Sequence, residues 1–174
     1  GAYNVAVGAY ALDANTTANS NTSVGYDAMT ANTTGASNVA LGSWAMAAST
    51  TGGYNTALGS TSLYTNTTGA SNTAVGYEAL KDNTTGTYNT AVGALALDGN
   101  TTADSNTALG YAALGGANTG TANIAVGVNA LLVNTSGSYN VAMGSYTLDA
   151  VSTGSSNIGI GYTALSTVST GTNN

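Results

Sequence analysis

Side chains do covalent or acid–base chemistry when a nucleophile, a proton-transfer pair or a set of metal ligands is brought together. This chain of 174 residues has little to bring: no histidine, no cysteine, seven acidic residues and one base, Lys81. Asp13, Asp98 and Asp149 are separated by multiples of 17 residues, and so are Asp27 and Glu78. No two members of either set are only one such interval apart, which predicts neither a carboxylate pair nor an acidic calcium ladder. The calcium-binding nonapeptide repeat is absent. Gly-x-Gly runs such as Gly159–Gly161 lack the context of a nucleotide fingerprint. The acids read as solvated surface groups. The expectation is a protein that is not an enzyme, with no catalytic, cofactor-binding or metal-ligating residue and no cofactor.

Two other residue classes qualify as sites. Asn-x-Ser/Thr sequons occur at Asn15, Asn21, Asn32, Asn66, Asn83, Asn100 and Asn134. They are glycan acceptors only in a chain secreted by a glycosylating host, and a repeated Asn-Thr-Thr generates most of them automatically. The aromatics are the better surface candidates: Tyr26, Tyr77, Tyr111 and Tyr162 in one register, Tyr54, Tyr88 and Tyr139 in a second, and Tyr10, Trp44 and Tyr146 in a third. Such rows on a rod bind glycans or partners, or simply cover the interior or an inter-chain seam. The second role is the commoner one, and no individual residue is singled out for binding.

Charge excludes whole classes. A net charge of −6 with one lysine cannot neutralise phosphates, so no nucleic-acid partner is expected. The same shortage excludes a basic membrane-surface helix, and no apolar run is long enough to span a bilayer. Without cysteine there are no disulfides. The first residue is Gly1; a signal peptide already removed and one belonging to a longer parent chain remain equal alternatives.

What must position these residues is a tandem repeat. An Asn-Thr-Ala-Val-Gly motif begins at Asn4, Asn21, Asn38, Asn55, Asn72, Asn89, Asn106, Asn123, Asn140 and Asn157, each 17 residues after the last. The consensus is N-T-A-V-G-Y-x-A-L-x-x-N-T-T-G-x-x, and the copy Asn72–Tyr88 follows it closely. Residues 1–174 therefore read as a single array. Seventeen residues are too few for a helical hairpin, and two glycine positions per copy would break one. They suffice for one coil of a parallel β-solenoid (a β-roll) with two or three short strands. A constant copy length lets each residue stack on its equivalent about 4.8 Å away, so ten coils make a rod of about 48 Å. A helical reading of Gly76–Asp82 is the local alternative, marginal at that length.

Each fixed position, numbered from the Asn, then acquires an expected role. Positions 2 and 4 share a strand face and are β-branched or aliphatic; with the Leu or Met of position 9 they are expected to form the interior. Glycine at position 5, and in most copies at position 15, supplies positive φ or close backbone approach. The position 1 asparagines are expected to form a ladder, each side-chain amide bonded to the amide above. Positions 3 and 8 are alanine in eight copies each. Their smallness suggests a backbone packed against them, either a neighbouring chain in a parallel homotrimer, the preferred reading, or a tight corner within one chain. A looser pattern pairs residues 4–88 with 89–173 as a duplication. The first and last copies resemble the middle ones, which reads as a segment of a longer fibre.

The Asn-Val-Ala-Val-Gly and Asn-Thr-Ala-Val-Gly strands, followed by an Ala two or three residues on, resemble the head repeats of YadA-like trimeric autotransporter adhesins. Runs of Asn-Thr-Ala-Val-Gly-Tyr-x-Ala-Leu with Asn-Thr-Thr-Gly are also similar to repeat regions of phage tail-fibre-like virion proteins. The resemblance covers the whole chain, although the 17-residue period is longer than that of the adhesin heads. It implies a trimeric parallel β-roll outside the cell or on a virion, self-associating as a homotrimer or filament and attaching to a host glycan or protein. The expected function is thus a rigid fibre segment with an adhesive role. An ice-binding β-solenoid is the alternative, disfavoured because the Thr-Thr pair is adjacent rather than alternating. A polysaccharide-depolymerising fibre is a remote one.

Overall fold

A computed structural model describes residues 1–174. It is an all-β parallel solenoid. Ten three-residue strands, β1 (Val5–Val7), β2 (Thr22–Val24), β3 (Val39–Leu41), β4 (Thr56–Leu58), β5 (Thr73–Val75), β6 (Thr90–Val92), β7 (Thr107–Leu109), β8 (Ile124–Val126), β9 (Val141–Met143) and β10 (Ile158–Ile160), form one sheet in sequence order. Pairing is in register at the 17-residue offset: Val5 with Thr22, Thr22 with Val39, and so on to Val141 with Ile158. Each coil contains one strand, not two or three; turns make the remainder. Gly76–Asp82 is bend and turn, because Glu78 and Leu80 are both left-handed (φ 55° and 53°) and interrupt any helical run.

The interior differs from expectation. Positions 2 and 4 face outward: Val5, Val7, Val39 and Leu41 are all exposed. Position 3 faces in, and Ala40, Ala57, Ala74, Ala91, Ala108, Ala125 and Ala142 are fully buried, as are position 8 alanines such as Ala79 and Ala96. The core is these two alanine rows with the position 9 row, Met29, Met46 and Leu63 through Leu148. A strand of three residues has a single inward position, and the coil is so narrow that only small side chains stand there: alanine in most coils, Ser23 in the second and Gly159 in the tenth. The last copies demonstrate the constraint. Position 8 of the ninth coil is the larger Thr147, and position 3 of the tenth is Gly159; a Cβ on Gly159 would lie 2.7 Å from Thr147 Cγ2 and 3.0 Å from Leu148 Cγ. The alanine rows are therefore the tight corner within one chain. They are not surfaces against a neighbouring chain.

Asparagine ladders line the rest of the interior. Each position 1 Asn accepts from the backbone N–H of its equivalent in the next coil, as Asn38 N–H donates to Asn21 Oδ1 at 2.8 Å. Its own Nδ2 donates across the coil to the position 15 carbonyl, Asn38 to Gly52 at 2.8 Å. The bonds are thus mainly side chain to backbone; amide–amide bonds run at the end, from Asn157 to Asn140 at 3.1 Å. A second ladder at position 12 links Asn83 to Asn66 (2.8 Å) and Asn100 to Asn83 (2.9 Å). In the seventh coil counting fails: position 12 is the exposed Ala117, and the buried Asn118 takes the ladder place instead, donating to Asn100 Oδ1 at 3.3 Å and accepting from Asn134 at 2.8 Å. Gly115 and Gly116 precede this one-residue slip, and register is regained by Gly120, whose carbonyl accepts from Asn118 at 3.0 Å.

The glycines behave as read. Position 5 has φ from 117° to 143° throughout. At position 15 a Cβ on Gly52 would collide with the Gly69 carbonyl oxygen of the next coil.

Candidate functional site: an exposed apolar ribbon

Turning positions 2 and 4 outward leaves Thr, Val, Ile, Leu and Met side chains in two parallel columns on the outer face of the ten-stranded sheet. Aromatic residues flank them in sequence. Tyr54, Tyr88 and Tyr139 stand at position 17, and Tyr26, Tyr77, Tyr111 and Tyr162 at position 6, all exposed. Of the exposed large apolar side chains, only Tyr10, Trp44, Tyr64, Val133 and Tyr146 lie off these four positions. The charges avoid them completely: Asp13, Asp27, Glu78, Lys81, Asp82, Asp98, Asp104 and Asp149 occupy positions 7, 10, 11 and 16. An outer sheet face of Thr and aliphatic side chains, bordered in sequence by tyrosines and free of charge, has the composition of an interface core rather than of a solvated surface.

The acids are not assembled into a site. No group of three His, Cys, Asp or Glu side chains has metal-binding proximity. Lys81 pairs with Glu78 of its own coil at 3.3 Å. A hydrogen bond from Tyr77, reinforced by Lys81, holds the Glu78 carboxyl below the usual range, and the hydrogen bond to Glu78, aided by its charge, holds the Lys81 ammonium above its own. Asp98, half-buried, is raised first by desolvation and then by the charge of Asp82. That neighbour was hidden in the sequence because the two acids occupy different repeat positions. Asp104 Oδ1 accepts from Thr87 N–H (2.6 Å) and Oγ1 (2.9 Å), so it braces adjacent coils.

The sequons are structural. Asn21, Asn32, Asn66, Asn83, Asn100 and Asn134 are fully buried ladder residues, and only Asn15 is partly accessible. The threonine pair is divided: position 13 hydroxyls bond the next coil, Thr50 Oγ1 to the Thr67 carbonyl at 3.0 Å, while position 14 is exposed in every coil. Position 14 is thus the only continuous exposed row of this pair; position 13 is exposed in four coils, at Thr16, Thr101, Thr135 and Ser169.

One cavity breaks the uniform surface. It has a volume of about 360 Å³ and is lined by Asp27, Thr30, Ala31, Trp44, Ala47, Ala48 and Tyr64, from the second, third and fourth coils. Trp44 donates its indole N–H to Asp27 Oδ2 at 3.0 Å and packs edge-to-face on Tyr26 at 6.0 Å, which in turn packs on Tyr10 at 5.9 Å. Sequence reading placed Tyr10, Tyr26 and Trp44 in aromatic rows but did not bring Asp27, Thr30 and Tyr64 to them, because these stand at variable positions of different coils.

The fold and its surface define a tandem-repeat parallel β-solenoid with an uncharged apolar outer sheet face. Comparison with protein-family models, with curated proteins and with solved structures finds no match.

Proposed function

We propose that this chain is a structural segment of an extracellular or virion fibre, a rigid spacer with an adhesive role, whose coils self-associate side by side as a parallel homo-oligomer. The observation that carries the reading is the charge-free apolar ribbon running through all ten coils. Ten strands of three residues present roughly 500 Å² at ordinary strand spacings. The tyrosine margins bring this toward the ~800 Å² per partner of a stable interface. The favoured partner is a second copy of the same chain. The ribbon repeats with each coil, so only a partner of equal axial period matches it from end to end. Net charge of −6 disfavours anionic surfaces as the occupant. A trimer agrees with the resemblance to adhesin and tail-fibre repeats. Its seam is assigned here to positions 2 and 4, since the alanine rows are consumed inside each chain.

Sedimentation and mass measurement at roughly 100 µM test this, a concentration at which even modest affinity populates the complex. The expected mass is about three times the 16.8 kDa of one chain. The double variant Leu58→Lys, Val75→Lys, charged on the outer face only, should sediment as a monomer with an unchanged far-UV spectrum. A folded wild-type monomer under these conditions would reject the reading.

A further inference from the structure

We infer that the cavity between the second and fourth coils is a binding site for a neutral pyranose sugar unit of an oligosaccharide. Positions 7, 10 and 11 vary freely from coil to coil, so stacking does not dictate which side chains stand there. Around one coil these variable positions bring together a group found nowhere else in the chain. Trp44 is the only tryptophan of the chain and Tyr64 the only aromatic at position 10, and the small Ala47 and Ala48 leave space beside them. All line one cavity, which is also the only one in the molecule.

The chemistry of the lining suits a sugar. A pyranose ring has an apolar C–H face that stacks on an aromatic side chain, and a rim of hydroxyls that need acceptors and donors. Trp44 and Tyr64 supply the aromatic surface, and both are partly exposed. Asp27 supplies a carboxylate acceptor, and Thr30 a hydroxyl. The Trp44 ring is held in advance by its bond to Asp27 and its contact with Tyr26, so little side-chain freedom is lost on binding. The volume of about 360 Å³ lies at the small end of ligand sites. An acidic sugar is disfavoured by Asp27 and by the negative net charge. A quaternary ammonium is less well served, since two aromatic side chains beside alanines do not enclose it. The lining residues belong to positions 7, 10 and 11, off the ribbon, so the cavity stays open when copies associate.

This deepens the adhesive part of the proposed function, and it is tested separately from assembly. Because Trp44 is the sole tryptophan, its emission reports the site directly. The intact chain is titrated with neutral tetrasaccharides built from glucose, galactose, mannose and N-acetylglucosamine, and with sialyllactose and choline chloride as controls. A saturable emission change with at least one neutral tetrasaccharide, in the millimolar range or tighter, is expected. Tyr64→Ala and Asp27→Ala should each weaken it by about tenfold, as loss of a stacking or charged hydrogen-bonding partner does. Their far-UV spectra should be unchanged. No saturable change with any tetrasaccharide, saturation by choline or sialyllactose alone, or binding indifferent to both variants overturns the assignment. The mass of the particle, read on the same samples, decides the assembly independently.

Discussion

At the scale of the residue, the fold depends on an unusual backbone state. Besides position 5 glycine, every coil places three non-glycine residues at φ near +50° to +60°, at positions 7, 9 and 17. For the buried leucines of position 9 the burial gain of about 2 kcal/mol offsets a left-handed penalty of about 1–2 kcal/mol. Position 7 has no such compensation when its side chain is partly exposed. Thr61 and Thr163 are the β-branched cases, at φ 54° and 53°, and Thr61 lies in a coil covered on both sides. Asn129 occupies the equivalent place in the eighth coil at φ 55°, and asparagine tolerates this conformation. Thr61→Asn should therefore stabilise the fold by about 1 kcal/mol, seen as a higher urea midpoint with an unchanged slope. A lower midpoint would mean that the bond from Thr61 Oγ1 to the Ser60 carbonyl (2.7 Å) outweighs the backbone term. Residue types carry no signal for a left-handed leucine, which is why sequence reading located positive φ only at glycine.

At the scale of the coil, much was legible and one assignment was inverted. Invariant spacing specified the coil, its parallel register and the position 1 asparagine ladder, since only stacked equivalents explain a constant length; the position 12 ladder was not read. Hydrophobicity then pointed the wrong way. Val and Leu at positions 2 and 4 look more like a core than Ala at position 3, yet the coil is too narrow for branched side chains on the strand's inner side. Size, not hydrophobicity, selected the inward residue, as Thr147 and Gly159 show by changing together. The same logic of stacking exposes a defect. Position 12 of the third coil is Ser49, between Asn32 and Asn66, and its short side chain breaks the ladder: Asn32 Oδ1 and Ser49 Oγ are both buried without a partner. Ser49→Asn restores a donor where the fifth to eighth coils have one. The expected gain is about 1 kcal/mol in unfolding free energy, the usual cost of an unsatisfied buried polar atom. Equal or lower stability of the variant in a denaturant titration would show that the ladder bonds are not additive along the coil.

At the scale of the whole molecule, each strand packs only on its sequence neighbours, so stability is a sum of coil terms and nearest-neighbour interfaces. A side chain's worth then depends on where its coil lies. Leu97 is fully buried, stacked between Leu80 and Leu114, with a coil on each side. Leu165, at the same repeat position in the tenth coil, is only partly buried against the core. Leu97→Ala should cost about 2–4 kcal/mol, a full cavity in a tight interior. Leu165→Ala should cost under about 1 kcal/mol, because much of that surface is already in contact with water. Amide exchange should agree: the N–H of Leu97, bonded to the Ala113 carbonyl at 3.0 Å, exchanges more slowly than those of the terminal turns. Equal costs for the two substitutions would imply that the ten coils unfold as one unit with no end effect. That result would require coupling beyond nearest neighbours, for which side-by-side association along the ribbon is the available source.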